Sequence, residues 1–234
     1  MAIPIIPQTI RVHLGSPTSD AANITVPFAD YIKNVASSEI FSTWEESAIR
    51  ANILAQISFA LNRVYTEWYP AMGYNFDITN DTAYDQKFIQ GRNIYENISR
   101  IVDDIFNDYL REEGNINPFF AQYCNGTTVT CRGLSQWGSQ SLATQGYSDI
   151  GIIQYYYGTD IEVVVNAPIG ENIPSYPDTP LRSGDLNENV RRMQLYLNRI
   201  SVNYPAIPKI VNVVGRFDEN TENAVRAFQR IFNL

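Results

Sequence analysis

Residues 42–68 read STWEESAIRANILAQISFALNRVYTEW, and the fold turns on whether this stretch is one helix. Ile49, Ile53, Ile57 and Leu61 recur at four-residue steps and Val64 follows at three, which places one apolar stripe along a helix. Its start, Thr43-Trp44-Glu45-Glu46, has capping-box spacing, with a hydroxyl three residues ahead of a carboxylate. Upstream, TIRVHLG (9–15) and NITVPF (23–28) read as strands, and a short helix is expected from Ala29 to about Ser38. Downstream, Ile94, Ile98, Ile101, Ile105 and Tyr109 mark a second long helix over Tyr95 to Leu110, with Gly114 beyond it. FFAQY (119–123) reads as a buried strand and SQSLATQG (139–146) as a short helix. SDIGIIQYYYG (148–158) is another helix, opened by Ser148 and closed by Gly158, and DIEVVV (160–165) is a closing strand. Strands and helices mix without βαβ regularity, so the fold class of this part is α+β.

The segment NAPIGENIPSYPDTP (166–180) holds four prolines and no periodic apolar signal, and reads as a linker. The expected organisation is therefore a domain over 1–165, a Pro-rich linker over 166–180 and a small domain over 181–234. Charge changes at the same place. Residues 181–234 carry eight basic and five acidic residues, a net of +3, and residues 1–180 carry −11. In the small domain Val190, Met193, Leu197 and Ile200 mark one helix, and Ala224, Val225, Phe228 and Phe232 another, with Asn220 or Thr221 as its cap. A segment this short buries a modest core, so an all-α, three-helix bundle is expected.

Composition removes several function classes. A net charge of −8 over 234 residues disfavours nucleic acid and anionic lipid as partners. No apolar run approaches the ~20 residues of a membrane span. The start, MAIPIIPQTI, lacks a basic n-region, so no secretory signal is read and synthesis in a cytoplasm is expected. Two cysteines exclude a disulfide-dense scaffold, and the single histidine, His13, excludes His-rich zinc sites and a HExxH helix. His13 sits in an expected strand and reads as structural. No phosphate-binding glycine loop is present. Neither metal nor cofactor is expected, and catalysis falls to carboxylates, hydroxyls, amides or cysteine.

Two resemblances follow from longer patterns. LRSGDLNENVRRMQLYLNRI and GRFDENTENAVRAFQRIFNL resemble the peptidoglycan-binding domain type 1. The matching positions are Leu181, Arg182, Gly184, Val190, Gln194, Leu197, Gly215, Phe217, Thr221, Ala224, Val225, Phe228 and Gln229. Asp218 stands where that family has Gly. The resemblance implies wall binding, with Arg182, Gln194, Thr221 and Gln229 as the polar candidates.

From about Val26 to Val165 the chain resembles the stage II sporulation protein D family, also known as the amidase-enhancer or LytB-like family. The residues that carry this are YIKNVASSEI, the helix ESAIRANILAQISFAL, TAYDQKFIQG, and GLSQWGSQSLATQGYSDIGIIQYYYGTDI. The resemblance implies a lytic transglycosylase acting on peptidoglycan glycan strands, with a sporulation or spore setting and a cell-wall amidase as a further partner. Its catalytic acid corresponds to Glu39. Val35, Ile40 and Phe41 are apolar neighbours suited to raising that acid's pKa. Gln86, Tyr123, Ser135, Gln136 and Trp137 are the implied substrate contacts, Trp137 by stacking on a sugar ring or else as core.

Departures from the family pattern lie in the same segments. Thr130 stands at a family histidine, and Gln56-Ile57-Ser58-Phe59 replaces Ala-Arg-Thr-Tyr, so an arginine is absent. The short loop around Asn125-Gly126 suggests a tight hairpin that pairs QYC with TCRG. That leaves both a disulfide and two free thiols open for Cys124 and Cys131. Three readings stay open: a wall-bound transglycosylase; a non-catalytic peptidoglycan-binding or amidase-enhancing protein; and a structural component of a spore layer.

Overall fold

A computed structural model of the chain describes residues 4–171 and 179–234, which form two compact units. In the first, β1 (Ile6–Pro7), β2 (Thr9–His13) and β3 (Asn23–Pro27) precede helix α1 (Phe28–Glu39) and helix α2 (Glu46–Tyr65). β4 (Ile78–Thr79), α3 (Glu96–Ile105) and β5 (Tyr109–Glu112) follow. Then come β6 (Tyr123–Cys124), β7 (Leu134–Ser135), α4 (Gln136–Thr144), α5 (Asp149–Tyr157), β8 (Ile161–Val164) and β9 (Ile169–Gly170). The sheets are small: β3-β2-β4 has three strands, and β1-β9, β5-β8 and β6-β7 are pairs. The mixture is α+β.

Helix α2 is the axis of this unit and packs against α1, α3, α4, α5 and β5. The stripe Ile49, Ile53, Ile57, Leu61 and Val64 is buried, but so are the flanking positions, fourteen of the twenty residues in all. A helix enclosed on every side must satisfy its own polar residues. Asn52 donates to the Ala48 carbonyl and to Ser139 Oγ at 2.8 and 2.7 Å. Ser58 Oγ donates to the Leu54 carbonyl and accepts from Leu110 N. Thr43 does not cap this helix: the N-cap is Glu45, without a side-chain cap bond. The Glu45 amide donates instead to Gln140 Oε1, so tertiary contact replaces the local box.

Four further expectations are corrected. Helix α3 ends at Ile105, and Tyr109–Glu112 is a strand paired antiparallel with β8. Tyr109 is spaced like the helical stripe, but cross-strand bonds and Ser58 take its segment's backbone groups. In FFAQY only Tyr123 is in a strand. That strand does not form a hairpin with TCRG; it runs parallel to β7, Tyr123 opposite Leu134 and Cys124 opposite Ser135. Within the expected linker, Ile169 and Gly170 pair with Ile6 and Pro7, so the first unit reaches past residue 165; residues 172–178 lie outside the described residues.

The second unit has two helices among the described residues rather than three, α6 (Glu188–Asn203) and α7 (Glu219–Phe232). Leu197, Ile207, Ile210 and Ala224 form its core, with Met193, Ile200 and Phe228 packed against it. The connection between the helices is irregular and is held by side chains. Asn198 Nδ2 donates to the Ile210 carbonyl and Asn198 Oδ1 accepts from the Ile210 amide, at 2.8 and 2.7 Å. The cap of α7 is Asp218, not Asn220 or Thr221: its carboxylate accepts from Thr221 N at 2.9 Å.

Candidate active site

Glu39 is the last residue of α1, and three segments distant in sequence converge on its carboxylate. The Lys87 amide donates to Oε1 at 2.7 Å. Tyr123 Oη donates to Oε2 at 2.6 Å, and Gln56 Nε2 donates to the same oxygen at 2.9 Å. Of its apolar chain neighbours, Val35 and Ile40 are buried at 0% and 4% exposure, whereas Phe41 is 54% exposed. Burial pushes the Glu39 carboxyl above its ordinary range, and the Lys87 amide, Tyr123, Gln56 and the Lys87 charge pull part of the way back. Tyr123 itself is raised well above the ordinary phenol value, first by burial and then by the charge of Glu39, so it remains a donor.

The carboxylate opens on a cleft of 490 Å³ whose walls include Ser38, Thr82, Lys87, Asn125, Thr130 and Gln136. Asp85 also borders it, but its carboxylate is spent: it accepts from Arg63 Nε, Tyr69 Oη, and the amide and hydroxyl of Thr79. Among the described residues that line the cleft, Glu39 is thus the carboxylate without a cationic or multiple-hydroxyl clamp of that kind. Cys124 and Cys131 are joined as a disulfide with Cα atoms 6.0 Å apart, and both residues lie on the cleft wall.

The expected contacts are distributed unevenly. Tyr123 and Gln136 border the cleft. Ser135 caps α4, its Oγ accepting from Gly138 N at 3.0 Å. Gly126 lies so close that an added Cβ would sit 1.8 Å from that hydroxyl. Trp137 is 44% exposed and meets Phe41 and Trp44 at ring distances of 5.5 and 5.1 Å. The three rings form one aromatic cluster, and none of them is among the residues that line the cleft, although Gln136, the chain neighbour of Trp137, is.

Gln86 is corrected from a substrate contact to an internal residue. It is fully buried, accepts from Tyr31 Oη and donates to the Gln56 carbonyl and to Tyr123 Oη, each at 3.0 Å. With no exposed surface and both its oxygen and nitrogen engaged, it is closed to a ligand. Gln56 was not singled out as a site residue; the signal was a primary amide in the interior of a helix that is buried and largely apolar. Its Oε1 is buried without a partner, a loss of about 1–3 kcal/mol for such a group. His13 is structural: Nδ1 meets Asn23 Oδ1 at 2.7 Å, Nε2 faces the Ser16 carbonyl and Ser19 Oγ, and the ring stacks on Phe76. Among the described residues no group of three or more His, Cys, Asp or Glu is placed to hold a metal.

In the second unit Gln194 and Thr221 are also internal. Gln194 Nε2 donates to the Arg216 carbonyl and Thr221 Oγ1, and Gln194 Oε1 accepts from Gly215 N. They hold the turn ahead of α7 and are closed to a ligand at 0% exposure. Arg182 and Gln229 are exposed, and Gln229 borders a 310 Å³ apolar groove with Leu181, Arg192, Met193, Tyr196 and Phe228.

Comparison with known families finds one match, over residues 187–234, to the family described as "Putative peptidoglycan binding domain". No curated protein matches the chain. No helix among the described residues is long and apolar enough to cross a membrane. The C-terminal helical unit thus coincides with a peptidoglycan-binding domain, which supports peptidoglycan as a partner and association with the cell wall.

Proposed function

We propose that the chain is a peptidoglycan lytic transglycosylase, in which a glycan-cleaving domain centred on Glu39 is held to its substrate by the domain at residues 181–234. The observation that carries the reading is the state of Glu39: a carboxyl raised by burial, held by three donors, at the wall of an open cleft. One carboxyl is enough for this chemistry. Glu39 gives its proton to the glycosidic oxygen as the anomeric C–O bond breaks and its electron pair leaves with that oxygen. The sugar's own 6-hydroxyl then attacks the anomeric carbon, its proton passes to the Glu39 carboxylate, and a 1,6-anhydro end results. The engagement of Asp85 elsewhere agrees with a one-carboxyl mechanism. Phe41 and Trp137 are exposed aromatic side chains of the kind that stack on sugar rings. A sporulation or spore-envelope setting, and a wall amidase that prepares stem-free strands, complete the proposal.

Stem-free glycan strands incubated with the wild-type protein are expected to yield anhydro-sugar ends by mass spectrometry, and none with Glu39→Gln. Wall binding without new ends from either protein would move the reading to a non-catalytic binding or amidase-enhancing protein. One observation favours that second reading: Ile57, at the position of the family arginine, is fully buried in apolar core and supplies no charge to the site.

A further inference from the structure

The bonds around Glu39 are not symmetric. Oε2 accepts two hydrogen bonds, from Gln56 Nε2 and Tyr123 Oη. Oε1 accepts one, from the Lys87 amide. An in-plane carboxylate oxygen has two lone pairs, so Oε2 is filled and Oε1 has one to spare. The direction of the Oε2 bonds is also set from behind. Gln86 Oε1 accepts from Tyr31, which orients its amide so that Nε2 donates to Tyr123 Oη and to the Gln56 carbonyl. With an N–H aimed at its oxygen, the Tyr123 hydroxyl has its proton left to give, and gives it to Glu39.

Gln56 is the residue whose presence needs a reason. It lies in the interior of α2, fully buried, with buried Asn52 one turn before it and buried Ala60 one turn after. Its Oε1 has no partner. Packing alone would select an apolar side chain there. What the amide supplies is one N–H to Oε2 of Glu39.

Resting on the reading of Glu39 as the acid, we infer that its two oxygens have separate duties: Gln56 and Tyr123 hold Oε2 as a fixed acceptor, and Oε1 carries the proton and hands it over. Gln56 is a positioning residue, and Gln86 positions at one remove through Tyr123. The acid form is then a hydroxyl at Oε1 and a doubly bonded carbonyl at Oε2. On transfer the Oε1–H bond breaks, its electrons stay on Oε1, and the proton from the sugar's 6-hydroxyl returns to the same atom.

The test is Gln56→Met, which keeps the volume and removes the donor, with Gln56→Leu as a second variant. Charged and titratable groups around the site that also shape its titration are Lys87, Tyr123, Tyr31 and, through Tyr31, Asp85. The Glu39 titration is read directly by carbon NMR of labelled glutamate, assigned with Glu39→Gln, so no turnover is needed. The midpoint is expected to rise by about one pH unit in both variants, because a donor to the ionised form is gone. The infrared carbonyl stretch of protonated Glu39 is expected to move to higher frequency, since the carbonyl Oε2 loses one of two hydrogen bonds. If the wild type releases anhydro ends, the alkaline limb of its pH profile moves up by the same amount in Gln56→Met. An unchanged titration midpoint, or an unchanged carbonyl stretch in a folded variant, overturns the division of the two oxygens. A shifted titration in a protein that releases no ends sustains the positioning and removes the proposed activity alone.

Discussion

Single residues here are expensive wherever they are polar and enclosed. Asp85 has a side chain with no exposure and Arg63 one with 11%, and they meet at 2.9 Å. Arg63 in turn lies over the rings of Trp68 and Phe120 at 4.7 and 5.0 Å. Removing one partner leaves the other charge buried, so Asp85→Ala is expected to cost about 3–5 kcal/mol in urea denaturation. Glu39 acts in the opposite sense. Its pKa is raised in the folded protein, so the folded state binds the proton more tightly than the unfolded chain. Its contribution to stability is full below the unfolded value and is lost as pH rises through the folded one. Wild type should therefore lose stability relative to Glu39→Gln across that interval, and denaturation curves at stepped pH check it. Glu39 is singled out in the sequence by the resemblance of YIKNVASSEI to a family motif, whereas the bond from Tyr123 to its carboxylate, across 84 positions, has no sequence signal. The burial of Gln86 was not legible either, because three partners separated by up to 55 positions decide it.

At the scale of elements, what the sequence announced best was what is settled locally. Helix α5 begins after Ser148, whose Oγ accepts from Gly151 N, and ends before Gly158 at φ +102°. Both signals act within one turn of the chain. The end of α3 was not local: Ile101, Ile105 and Tyr109 keep helical spacing across the break, and only the pairing of β5 with β8 decides it. The parallel pairing of β6 with β7 likewise has no short-range signature, whereas a hairpin at Asn125-Gly126 does. The cap of α7 is local, yet it lies two to three residues ahead of the expected Asn220 or Thr221. Asp218 sits six residues ahead of Ala224, the first apolar residue of the helix, and its carboxyl is held below the ordinary range by the Thr221 amide and hydroxyl. Asp218→Ala should destabilise the second unit by about 1 kcal/mol, and Asp218→Asn by much less. Hydrogen exchange of the α7 amides in the full chain reads the difference.

For the whole molecule the chemistry is divided between an acidic body and a basic end. The net charge of −11 on residues 1–180 works against approach to an anionic wall, and the +3 on residues 181–234 works for it. A chain ending at residue 180 is expected to lose sedimentation with purified peptidoglycan while its Glu39 titration is unchanged, since all three donors to that carboxylate lie in the first unit. The same unit has a property that comes from its smallest sheet. Ile6 and Pro7 lie beside Ile169 and Gly170, so the two strands nearest the unit's boundaries are neighbours. The pair is parallel, so positions 4 and 171 leave it at opposite ends, and a joining segment has to run back along it; ends within such reach are what circular permutation and domain insertion need. A few flexible residues would join position 171 to position 4, and new ends opened at the exposed loop around Gly91 would leave every strand pair intact. The first unit is thus built as a cassette, able to be moved between host chains or closed into a ring without loss of its core.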